Sequence, residues 1–456
     1  MCNIQIPHGA NSIIQDLRKA GFDAYVVGGC VRDSLLDLEP KDWDICTSAT
    51  PLEMKAFFAE RNIKTIDTGL QHGTITVNLG DSEQYEVTTF RIDGNYSDSR
   101  HPDSVEFVKN IELDLARRDF TVNAMAYDGV RIIDPFHGQD DLNRRIISCV
   151  GNPDDRFGED ALRILRAMRF ASTYGFAIEE KTSQAIHRNK EKLLNIAAER
   201  IQTELCKMLC GRGVLQILLE YSDVISVIIP EMSPCIGFDQ NNKYHEYTVY
   251  DHICHAVENC GLNDIVIKLS LFLHDIGKPC CYTTDENGGH FYGHGVYSRD
   301  LAEKVLDRLR FDNKTKHDVL ELVLFHDAVI EPTPKTVRRW LNKIGELQFS
   351  RLVEIRLADI LAHKEGTQQS RIERCVSLGI IAYEIVEQNQ CFSLKDLEIS
   401  GKDVMELLNI AEGKRVGFVL NKVLDAVIDG SLKNERVHIV NYLNENKEVF
   451  SCEFSC

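Results

Sequence analysis

Apolar residues at positions 1–140 are grouped in short runs between polar and glycine-containing segments, a pattern that predicts β-strands interspersed with helices. From Asp141 onward the apolar residues recur every three or four positions with few prolines between them, which predicts helices. The pattern therefore predicts an α+β fold, in which a mixed-sheet N-terminal part precedes an all-α remainder. The predicted strands are Ala24 to Val27, Trp43 to Cys46, Thr74 to Leu79, Tyr85 to Phe90 and Val105 to Phe107.

The length of 456 residues is more than a single hydrophobic core serves, so several domains are expected. Histidines are concentrated in the middle of the helical remainder and distinguish that part from its flanks. We expect an N-terminal mixed-sheet domain at 1–140, a helical domain at 141–235, a helical, histidine-rich domain at 236–370 and a helical tail at 371–456.

The composition is acidic, with 70 acidic and 52 basic residues and a formal net charge of -18, which argues against non-specific binding of nucleic acid by overall charge. The cysteines form no CxxC pair, the chain starts without a cleavable apolar segment, and no apolar stretch has the length of a membrane span. We therefore expect a cytoplasmic protein without a membrane partner. An RNA ligand would need a local basic groove, for which the candidates are Arg117, Arg118, Arg144, Arg145, Arg163, Arg166 and Arg169.

Two glycines directly follow the first predicted strand. Gly28 and Gly29 allow a ligand to approach the backbone closely, and the apolar residues after them predict a helix start that can receive a triphosphate. Arg32 adds a fixed positive charge in the first turn of that helix. This segment is therefore a candidate phosphate-binding turn.

The second predicted strand carries a pair of carboxylates. Asp42 and Asp44 are two residues apart, so on a strand their side chains would project from the same face and could hold divalent cations together. Either this pair or the glycine turn would be weak evidence alone, because each occurs often by chance. In this order and spacing they combine a phosphate site with a metal site, which is what nucleotidyl transfer needs.

These segments resemble the start of the nucleotidyltransferase superfamily, and specifically the class II tRNA nucleotidyltransferases, or CCA-adding enzymes, and the related bacterial poly(A) polymerases. The resemblance implies that the first domain is a nucleotidyltransferase head and the second a neck and body. It implies attack of a tRNA 3'-hydroxyl on the α-phosphate of CTP or ATP, with pyrophosphate leaving. Two Mg²⁺ ions would be held by Asp42 and Asp44.

The segment from Arg117 to Ala126 matches the RRDFTxNA motif of the same family. The resemblance implies that Arg117 and Arg118 contact phosphate or ribose, while Asp119 and Asn123 fix the sugar and the arginines. From the residues alone, a helix with a capping ion pair is the other interpretation.

The periodicity from Gly158 to Phe170 predicts one helix, on which Asp160, Arg163 and Arg166 share a side. The segment resembles the family's EDxxR motif, in which the protein itself serves as the template. Asp160 would accept from the amino group of cytosine or adenine, and Arg163 would donate to the acceptor beside it. Guanine and uracil present the opposite pattern, so both contacts would fail. Arg166 and Arg169 are assigned to the same nucleotide site.

Two segments bear on the choice among related activities. Poly(A) polymerases usually carry a basic, aromatic signature where this chain has Gly69 to Val77, and that departure favours CCA addition. The polar segment from Arg91 to Pro102 predicts a loop, which in the family is needed for switching from C to A addition. Poly(A) addition, CC-only addition and A-only addition remain alternatives, and no motif indicates how C is told from A.

The histidine-rich domain contains a second constellation of possible metal ligands. Neutral imidazoles and carboxylates at helical positions suit a divalent transition metal. With Gly277 and Lys278 after its dyad, the set resembles the HD-superfamily phosphohydrolases, which implies phosphatase or phosphodiesterase activity on RNA ends or nucleotides. A fold relic with structural histidines is the other interpretation, and hydrolysis as the main activity with an RNA-binding head is a further alternative. The residues are His252, His274, Asp275, His294, His326 and Asp359.

The last part of the chain, including Leu397 to Val404 and Ala426 to Gly430, resembles the C-terminal end of bacterial CCA-adding enzymes. That resemblance implies that the tail binds the tRNA elbow region. Ser400 or Gly401 is the expected start of a helix. The sequence leaves the oligomeric state open.

Overall fold

The computed structural model of the protein describes residues 4–80, 83–94, 104–242, 245–286, 288–388 and 390–452. The chain forms two compact units. One comprises Met1–Ser233 with Arg308–Arg310, and the other comprises Pro234–Asp307 with Phe311–Cys456. Among the described residues, no helix is both long and apolar enough to cross a bilayer.

The first unit contains a mixed sheet near its N-terminus. Its strands are β1 (Ala24–Val27), β2 (Ile45–Thr47), β3 (Lys64–Gly69), β4 (Thr74–Gly80), β5 (Glu83–Thr89), β6 (Arg91–Asp93), β7 (Val105–Phe107), β8 (Ala126–Tyr127), β9 (Ile132–Ile133), β10 (Ile146–Ile147) and β11 (Ala177–Ile178). Within the described residues, one sheet has the order β3-β4-β5-β2-β1-β8-β9. Only β2 and β5 among these neighbours run parallel. Strands β1 and β2 are therefore central, with side chains buried along both.

The helices of the first unit cover the sheet and continue beyond it. Helix α1 buries Ile13, Ile14 and Leu17 on one face, as expected for an amphipathic helix. The helices are α1 (His8–Lys19), α2 (Gly29–Leu35), α3 (Pro51–Glu60), α4 (Ile111–Ala116), α5 (Gly138–Arg144), α6 (Pro153–Glu159), α7 (Leu162–Tyr174), α8 (Glu180–Asn189), α9 (Ala198–Leu209), α10 (Val214–Glu220) and α11 (Ser222–Ile228).

In the part of the second unit that the structure describes, the one strand pair is the antiparallel β12 (Thr283–Asp285) and β13 (Gly288–His290), and the other regular elements are helices. Helix α13 is buried along almost its whole length, which explains why its sequence is nearly all apolar. The helices are α12 (Val249–Asn259), α13 (Ile265–Leu273), α14 (His294–Arg308), α15 (Asn313–Phe325), α16 (Pro334–Ile344), α17 (Glu346–Leu361), α18 (Gln369–Glu387), α19 (Gly401–Leu408), α20 (Lys414–Ile428), α21 (Arg436–Glu445) and α22 (Lys447–Cys452).

The α+β fold with a helical remainder is confirmed, and strands β1 and β7 have the predicted bounds. The placement of the carboxylate pair inside a strand was wrong, because β2 begins only at Ile45. Asp42 and Asp44 precede it in a segment with no fully buried side chain to hold it in the sheet. The Asp44 carbonyl nevertheless accepts a hydrogen bond from the Val27 amide at 3.0 Å, so the segment runs beside β1.

The predicted loop from Arg91 to Pro102 begins as a strand instead, because Arg91–Asp93 pairs with β7. Residues 95–103, which hold the rest of this loop, lie outside the described part of the chain. The helical remainder also contains the short strand pairs β10 with β11 and β12 with β13. Strands β10 and β11 are far apart in sequence, whereas β12 and β13 are joined by a tight turn. Periodicity alone does not reveal either pairing.

The single helix expected from Gly158 to Phe170 is two helices, α6 and α7, separated at Asp160. Asp160 has extended dihedrals, with φ at -139° and ψ at 105°. Its carboxylate accepts a hydrogen bond from the Leu162 amide at 3.0 Å, so it satisfies an amide that the start of α7 leaves free. The expectation that Asp160 continues the face of Arg163 and Arg166 was therefore wrong.

The tail has its own apolar core, which includes Val404, Val419, Val423, Ile439 and Leu443. Its first helix starts as expected, with Ser400 as the N-cap. The Ser400 hydroxyl and the Asp403 carboxylate form a reciprocal capping box. The predicted domain boundary at 370/371 falls inside helix α18.

Candidate active sites

The glycine turn lies between the central strand β1 and helix α2. Gly28 has a φ of +76°, in the region that favours glycine. A Cβ at this position would lie 2.8 Å from Nη1 of Arg118. Only glycine therefore fits here without displacing that arginine, and the backbone stays accessible beside a positive charge.

Asp44 lies close enough to the same arginine and to Asp42 to interact electrostatically with both. The side chains of Asp42 and Asp44 keep solvent exposure, yet neighbouring protein atoms desolvate Asp44 enough to raise its pKa. Arg118 opposes this rise, whereas the negative charges of Glu86 and Asp42 add to it. Negative charges are therefore concentrated around Asp44, and a divalent cation bound between Asp42 and Asp44 would reduce the repulsion between them.

Both arginines of the RRDF segment are anchored by Asp114, a residue that we did not single out from the sequence. The Asp114 carboxylate is buried and lies 2.8 Å from Nη2 of Arg117 and 3.3 Å from Nη2 of Arg118. Burial alone would raise the pKa of Asp114, but the two arginines outweigh it and lower the pKa. Asp114 therefore stays ionised and fixes the orientation of both guanidinium groups.

A polar chain connects the glycine turn to helix α7. Nη1 of Arg32 donates to the Asn123 side-chain oxygen, and the Asn123 amide donates to Asp119 at 3.1 Å. Arg166 donates twice to the other Asp119 oxygen, at 2.9 and 2.6 Å. Burial would raise the pKa of Asp119, but Arg166 outweighs it and holds the pKa well below its usual range. The structure thus brings these predicted residues together.

Arg32 also lies beside two aromatic rings of α7. Its guanidinium carbon is 5.0 Å from the ring centroids of both Phe170 and Tyr174, which suits cation–π contacts. The Tyr174 hydroxyl donates to Asp33 at 2.9 Å, and Asp33 pairs with Arg32 at 2.8 Å. These contacts restrict the directions in which Arg32 can point.

The two residues of the predicted templating pair have separate partners in the structure. Asp160 accepts from Arg200 at 2.8 Å, and Arg163 donates to Glu159 at 2.6 Å. Arg163 also donates to the Arg117 carbonyl at 3.2 Å, which places it next to the RRDF segment. Neither residue of the pair bonds to the other through its side chain in these contacts.

Arg169 faces away from that pair and contacts Glu204 of α9. Its Nε donates to Glu204 at 2.9 Å, and Arg166 lies 3.9 Å from the same carboxylate. Arg169 also covers the ring of Phe170, with 3.6 Å between the guanidinium carbon and the centroid. These contacts connect α7 to α9.

The predicted metal ligands of the second unit come from five helices or helix ends and converge on one buried centre. His252 lies on α12, the dyad follows α13, His294 begins α14, His326 follows α15 and Asp359 lies on α17. His252 Nε2 is 2.9 Å from Oδ1 of Asp359, and His274 Nε2 is 3.1 Å from Oδ2 of Asp275. The structure therefore brings together all six predicted residues of this site.

The second half of the centre is built around the other oxygen of Asp275. Oδ1 lies 3.4 Å from Nε2 of His294 and 3.7 Å from Nε2 of His326. The two histidine nitrogens are 2.9 Å apart. Each Asp275 oxygen faces a different set of histidines, so these residues together would hold a divalent cation.

The histidines are oriented by backbone carbonyls behind them. Nδ1 of His274 lies 2.6 Å from the Leu271 carbonyl, and Nδ1 of His326 lies 2.7 Å from the Val323 carbonyl. His294 makes the same contact with Phe291 at 2.9 Å, and His252 with Ala362 at 3.2 Å. If Nδ1 carries the proton, each Nε2 presents its lone pair to the centre, which is the arrangement of a metal ligand.

The centre also shows the electrostatic imbalance of a cation site. Within the described residues, His274 Nε2 and both Asp275 side-chain oxygens are buried without a hydrogen bond of good geometry, although the Lys278 ammonium lies 2.7 Å from Asp275 Oδ2. Burial would lower the pKa of His274, but Asp275 and Asp359 raise it to about 10. The residues therefore fit a metal, whose charge would replace that proton between the two carboxylates.

Known protein families match the head, the helical segment after it and much of the C-terminal part of this chain. The Poly A polymerase head domain family matches residues 24–148, the family described as "Probable RNA and SrmB- binding site of polymerase A" matches 175–236, and tRNA nucleotidyltransferase domain 2 matches 296–443. The CCA-adding enzyme of Lactobacillus delbrueckii subsp. bulgaricus is 50% identical over 447 residues, which span 97% of this chain and 100% of that protein. This chain belongs to the CCA-adding enzyme family.

Two more relatives cover nearly the whole chain. The CCA-adding enzyme of Ligilactobacillus salivarius is 50% identical over 429 residues, or 93% of each protein. The crystal structure of the Bacillus stearothermophilus CCA-adding enzyme in complex with CTP superposes with a TM-score of 0.70 at 29% identity, covering 98% of this chain and 100% of that one. The mixed sheet with its helical remainder is thus the fold of CCA-adding enzymes.

Several residues that support the sites were not singled out from the sequence. Asp114 and Glu159 could have been found, because they precede their arginine partners by three or four positions within the same short segment. Arg200, Glu204 and Tyr174 had no such local indication. Their partners are distant in sequence. Packing beside α9 brings Arg200 and Glu204 to their partners, and Tyr174 on α7 reaches Asp33 on α2.

Proposed function

We propose that this protein adds C, C and A in turn to the 3' end of tRNA, using CTP and ATP without a nucleic-acid template. The similarity at 50% identity over almost the full length of a CCA-adding enzyme carries this conclusion. The carboxylates beside the arginine-lined glycine turn supply the matching chemistry. The CTP complex of the Bacillus stearothermophilus relative supports CTP as a substrate.

In the proposed reaction, the 3'-oxygen of the RNA bonds to the α-phosphorus of the nucleotide. The bond from that phosphorus to the bridging oxygen breaks, pyrophosphate leaves with the electron pair, and the hydroxyl proton passes to solvent. Asp42 and Asp44 would hold Mg²⁺. When bound, Mg²⁺ supplies positive charge against the triphosphate and acidifies the attacking hydroxyl.

We assign the other predicted residues around this chemistry. Arg32, Arg117 and Arg118 neutralise phosphate charge, and the buried carboxylates of Asp114 and Asp119 keep them oriented. The backbone at Gly28 and Gly29 gives the triphosphate a close approach, with Arg118 next to it.

Base selection is assigned to Asp160 and Arg163. Arg200 and Glu159 hold these side chains where they stand beside the RRDF segment. Asp160 would accept from the amino group of cytosine or adenine, while Arg163 donates to the ring acceptor beside it. Uracil and guanine reverse both groups and would leave polar atoms unsatisfied. Arg166 and Arg169 stabilise the position of α7 through their ion pairs with Asp119 and Glu204.

We also propose the four-domain organisation at 1–140, 141–235, 236–370 and 371–456, with the tail binding tRNA. The apolar core of the tail supports a separately packed C-terminal domain. The cytoplasm is the proposed location, because its tRNA substrate is there.

The experiment is to incubate the protein and Mg²⁺ with tRNA transcripts that lack their last three nucleotides, supply all four nucleoside triphosphates, and sequence the 3' ends. We expect termination after C, C and A. Stopping after two C residues, adding A only to transcripts that already end in C and C, or continuing with A would identify a CC-adding, A-adding or poly(A)-adding enzyme instead.

The histidine centre supports a second proposed activity, metal-dependent hydrolysis of phosphate esters at RNA ends or on nucleotides. Six residues of metal-binding type converge on one centre, and this arrangement favours an HD-type hydrolase over a structural relic. Bound divalent metals would polarise the phosphate and generate hydroxide from water.

Its test is release of phosphate from 3'-phosphorylated RNA in the presence of Mn²⁺ or Ni²⁺. We expect the double variant His274→Ala with Asp275→Ala to lose this activity and to keep nucleotide addition. If neither metal supports hydrolysis, the structural interpretation of the histidines is correct.

A further inference from the structure

The histidine centre opens into a cavity of about 300 Å³, which contains basic side chains as well as the metal-binding ones. Lys278 and Arg371 line it together with Asp275 and Asp359. Lys278 lies 2.7 Å from Asp275, and Arg371 lies 3.9 Å from Asp359. Cationic groups beside a metal site suit a phosphate group as the part of a substrate that enters.

The same cavity is lined by two aromatic rings that have no role in the metal centre, His290 and Tyr292. Their centroids are 5.3 Å apart and their planes differ by 10°, so the rings are stacked. His290 Nε2 lies 2.9 Å from Asp285 across the β12-β13 pair, which holds the inner ring. The Tyr292 residue is 76% exposed although it lines the cavity, which places its ring at the opening.

A short segment joins this stack to the metal ligands. Strand β13 ends at His290, and α14 begins at His294, whose Nε2 faces Asp275. The segment between them contains Phe291, whose ring lies 5.3 Å from the Lys278 ammonium. Tyr292 is therefore two residues from His294 along the chain and lines the same cavity as Asp275.

A cavity of this size is at the lower end of the range for small-molecule sites. It can take a phosphate and part of a sugar, while a base attached to that sugar would remain at the opening. An exposed aromatic ring there offers a stacking surface, and every nucleobase has a face that can use it.

We propose that Tyr292, supported by His290, forms a base-stacking subsite at the mouth of this cavity, which makes the hydrolytic site selective for phosphates carried by nucleotides. This inference rests on the hydrolytic activity proposed above and names its substrate class. The nucleotide is a free nucleoside monophosphate or the last residue of a 3'-phosphorylated RNA.

The hydrolysis is balanced without another reactant. The oxygen of one water bonds to phosphorus, the bond from phosphorus to the ribose oxygen breaks, and that oxygen gains a proton from the water. The products are inorganic phosphate and a nucleoside or RNA with a free hydroxyl. No group is oxidised or reduced.

The test compares substrates with and without a base on the full-length protein loaded with Mn²⁺. Adenosine 3'-monophosphate and a short RNA ending in a 3'-phosphate carry a base, whereas glycerol 2-phosphate does not. We expect Tyr292→Ala to raise KM for both base-carrying substrates about tenfold, since stacking on one aromatic ring is worth that factor or more. The kcat should change little, and kinetics with glycerol 2-phosphate should be unaffected.

Two variants serve as controls. Tyr292→Phe keeps the ring and should restore the wild-type KM. Tyr297→Ala removes another half-exposed tyrosine, on α14, that does not line the cavity and should change nothing. An equal rise in KM for glycerol 2-phosphate, or no rise for the nucleotide, would overturn the subsite.

The two proposals fail in different ways. If the wild-type protein hydrolyses none of the three substrates, the proposed hydrolysis is wrong. Calorimetric titration of the Mn²⁺-loaded protein with adenosine 3'-monophosphate then decides on the subsite, which predicts binding by wild type that Tyr292→Ala weakens about tenfold. A response of the RNA substrate alone, or of the mononucleotide alone, would identify which of the two sources the site takes.

Discussion

The two candidate sites place their carboxylates in opposite environments. In the head, Asp42 and Asp44 keep contact with solvent, and the buried carboxylates are Asp114 and Asp119, which hold arginines. In the histidine centre, Asp275 is buried and Asp359 is half-buried, and a backbone carbonyl contacts Nδ1 of each histidine. A site that must admit an RNA end and a triphosphate is thus left open, with its order supplied by the surroundings. A site for small groups can be closed and preorganised.

The largest expected effect comes from removing the open carboxylates. Asp42→Ala with Asp44→Ala should reduce nucleotide addition by roughly a thousandfold or more, because losing several kcal/mol of metal-dependent stabilisation costs a factor of ten per 1.4 kcal/mol. Incorporation of labelled CTP into trimmed tRNA measures it. Glu60→Gln, at an exposed acid on α3, is the control and should leave nucleotide addition unchanged. Addition that survives in the double variant would contradict the assignment of the metal to these residues.

The closed centre should respond to metal in its stability as well as its activity. Because its ligands are already assembled, Mn²⁺ should raise the Tm of the wild-type protein, by binding the folded state only. His274→Ala with Asp275→Ala should abolish that rise. The variant Asp42→Ala with Asp44→Ala should retain it, and the Tm can be followed by scanning calorimetry. A metal-induced rise in Tm that is lost in the Asp42, Asp44 variant and kept in the His274, Asp275 variant would contradict this difference between the two sites.

The buried support of the open site can be tested through stability. Asp114→Asn removes the buried negative charge that Arg117 and Arg118 share and should cost about 3 kcal/mol of unfolding free energy in the head, as for a broken buried ion pair. Urea unfolding followed by Trp43 fluorescence in a Trp340→Phe background reports on the head. The exposed pair of Lys55 with Asp67 is the control, since Asp67→Asn should cost less than about 1 kcal/mol.

Base selection should depend on Asp160 more than overall activity does. Asp160→Ala removes the acceptor for the amino groups of cytosine and adenine, so discrimination against UTP should fall by about ten- to a hundredfold. The ratio of kcat/KM for CTP to that for UTP on trimmed tRNA measures this. Glu180→Ala, at an exposed acid that starts α8, is the control. An unchanged ratio would assign selection to other residues.

The smallest effect is expected at Tyr174, one of the aromatic residues that contact Arg32. Tyr174→Phe keeps the ring but removes the bond to Asp33, so KM for CTP should rise a few-fold, in line with one hydrogen bond of about 1 kcal/mol. Tyr174→Ala also removes the cation–π contact and should raise KM further. The kcat of Tyr174→Phe should stay close to that of wild type. A loss of kcat without a change in KM would mean that Tyr174 does not act through the bound nucleotide.

The sequence pattern predicted some features of the two sites and missed others. Short-range features were predictable, including strand β1, the glycine turn and the histidine dyad with its spaced partners. The break at Asp160 was not, because the helical periodicity of α6 and α7 is nearly continuous and only the dihedrals and the bond to Leu162 separate them. The position of Asp42 and Asp44 before β2 was missed because strand ends depend on burial by neighbouring elements.

The sequence by itself determined the fold class, the family and the identity of the chemical groups, because these follow from residue types at short spacings. The tertiary structure decided which side chains support them. Arg200 meets Asp160, Glu204 meets Arg169, and Tyr174 meets Asp33 only after α7 packs against its neighbours. It also decided that the head carboxylates stay in solvent while Asp275 is buried. Burial and long-range pairing depend on packing between distant segments, which local periodicity does not specify.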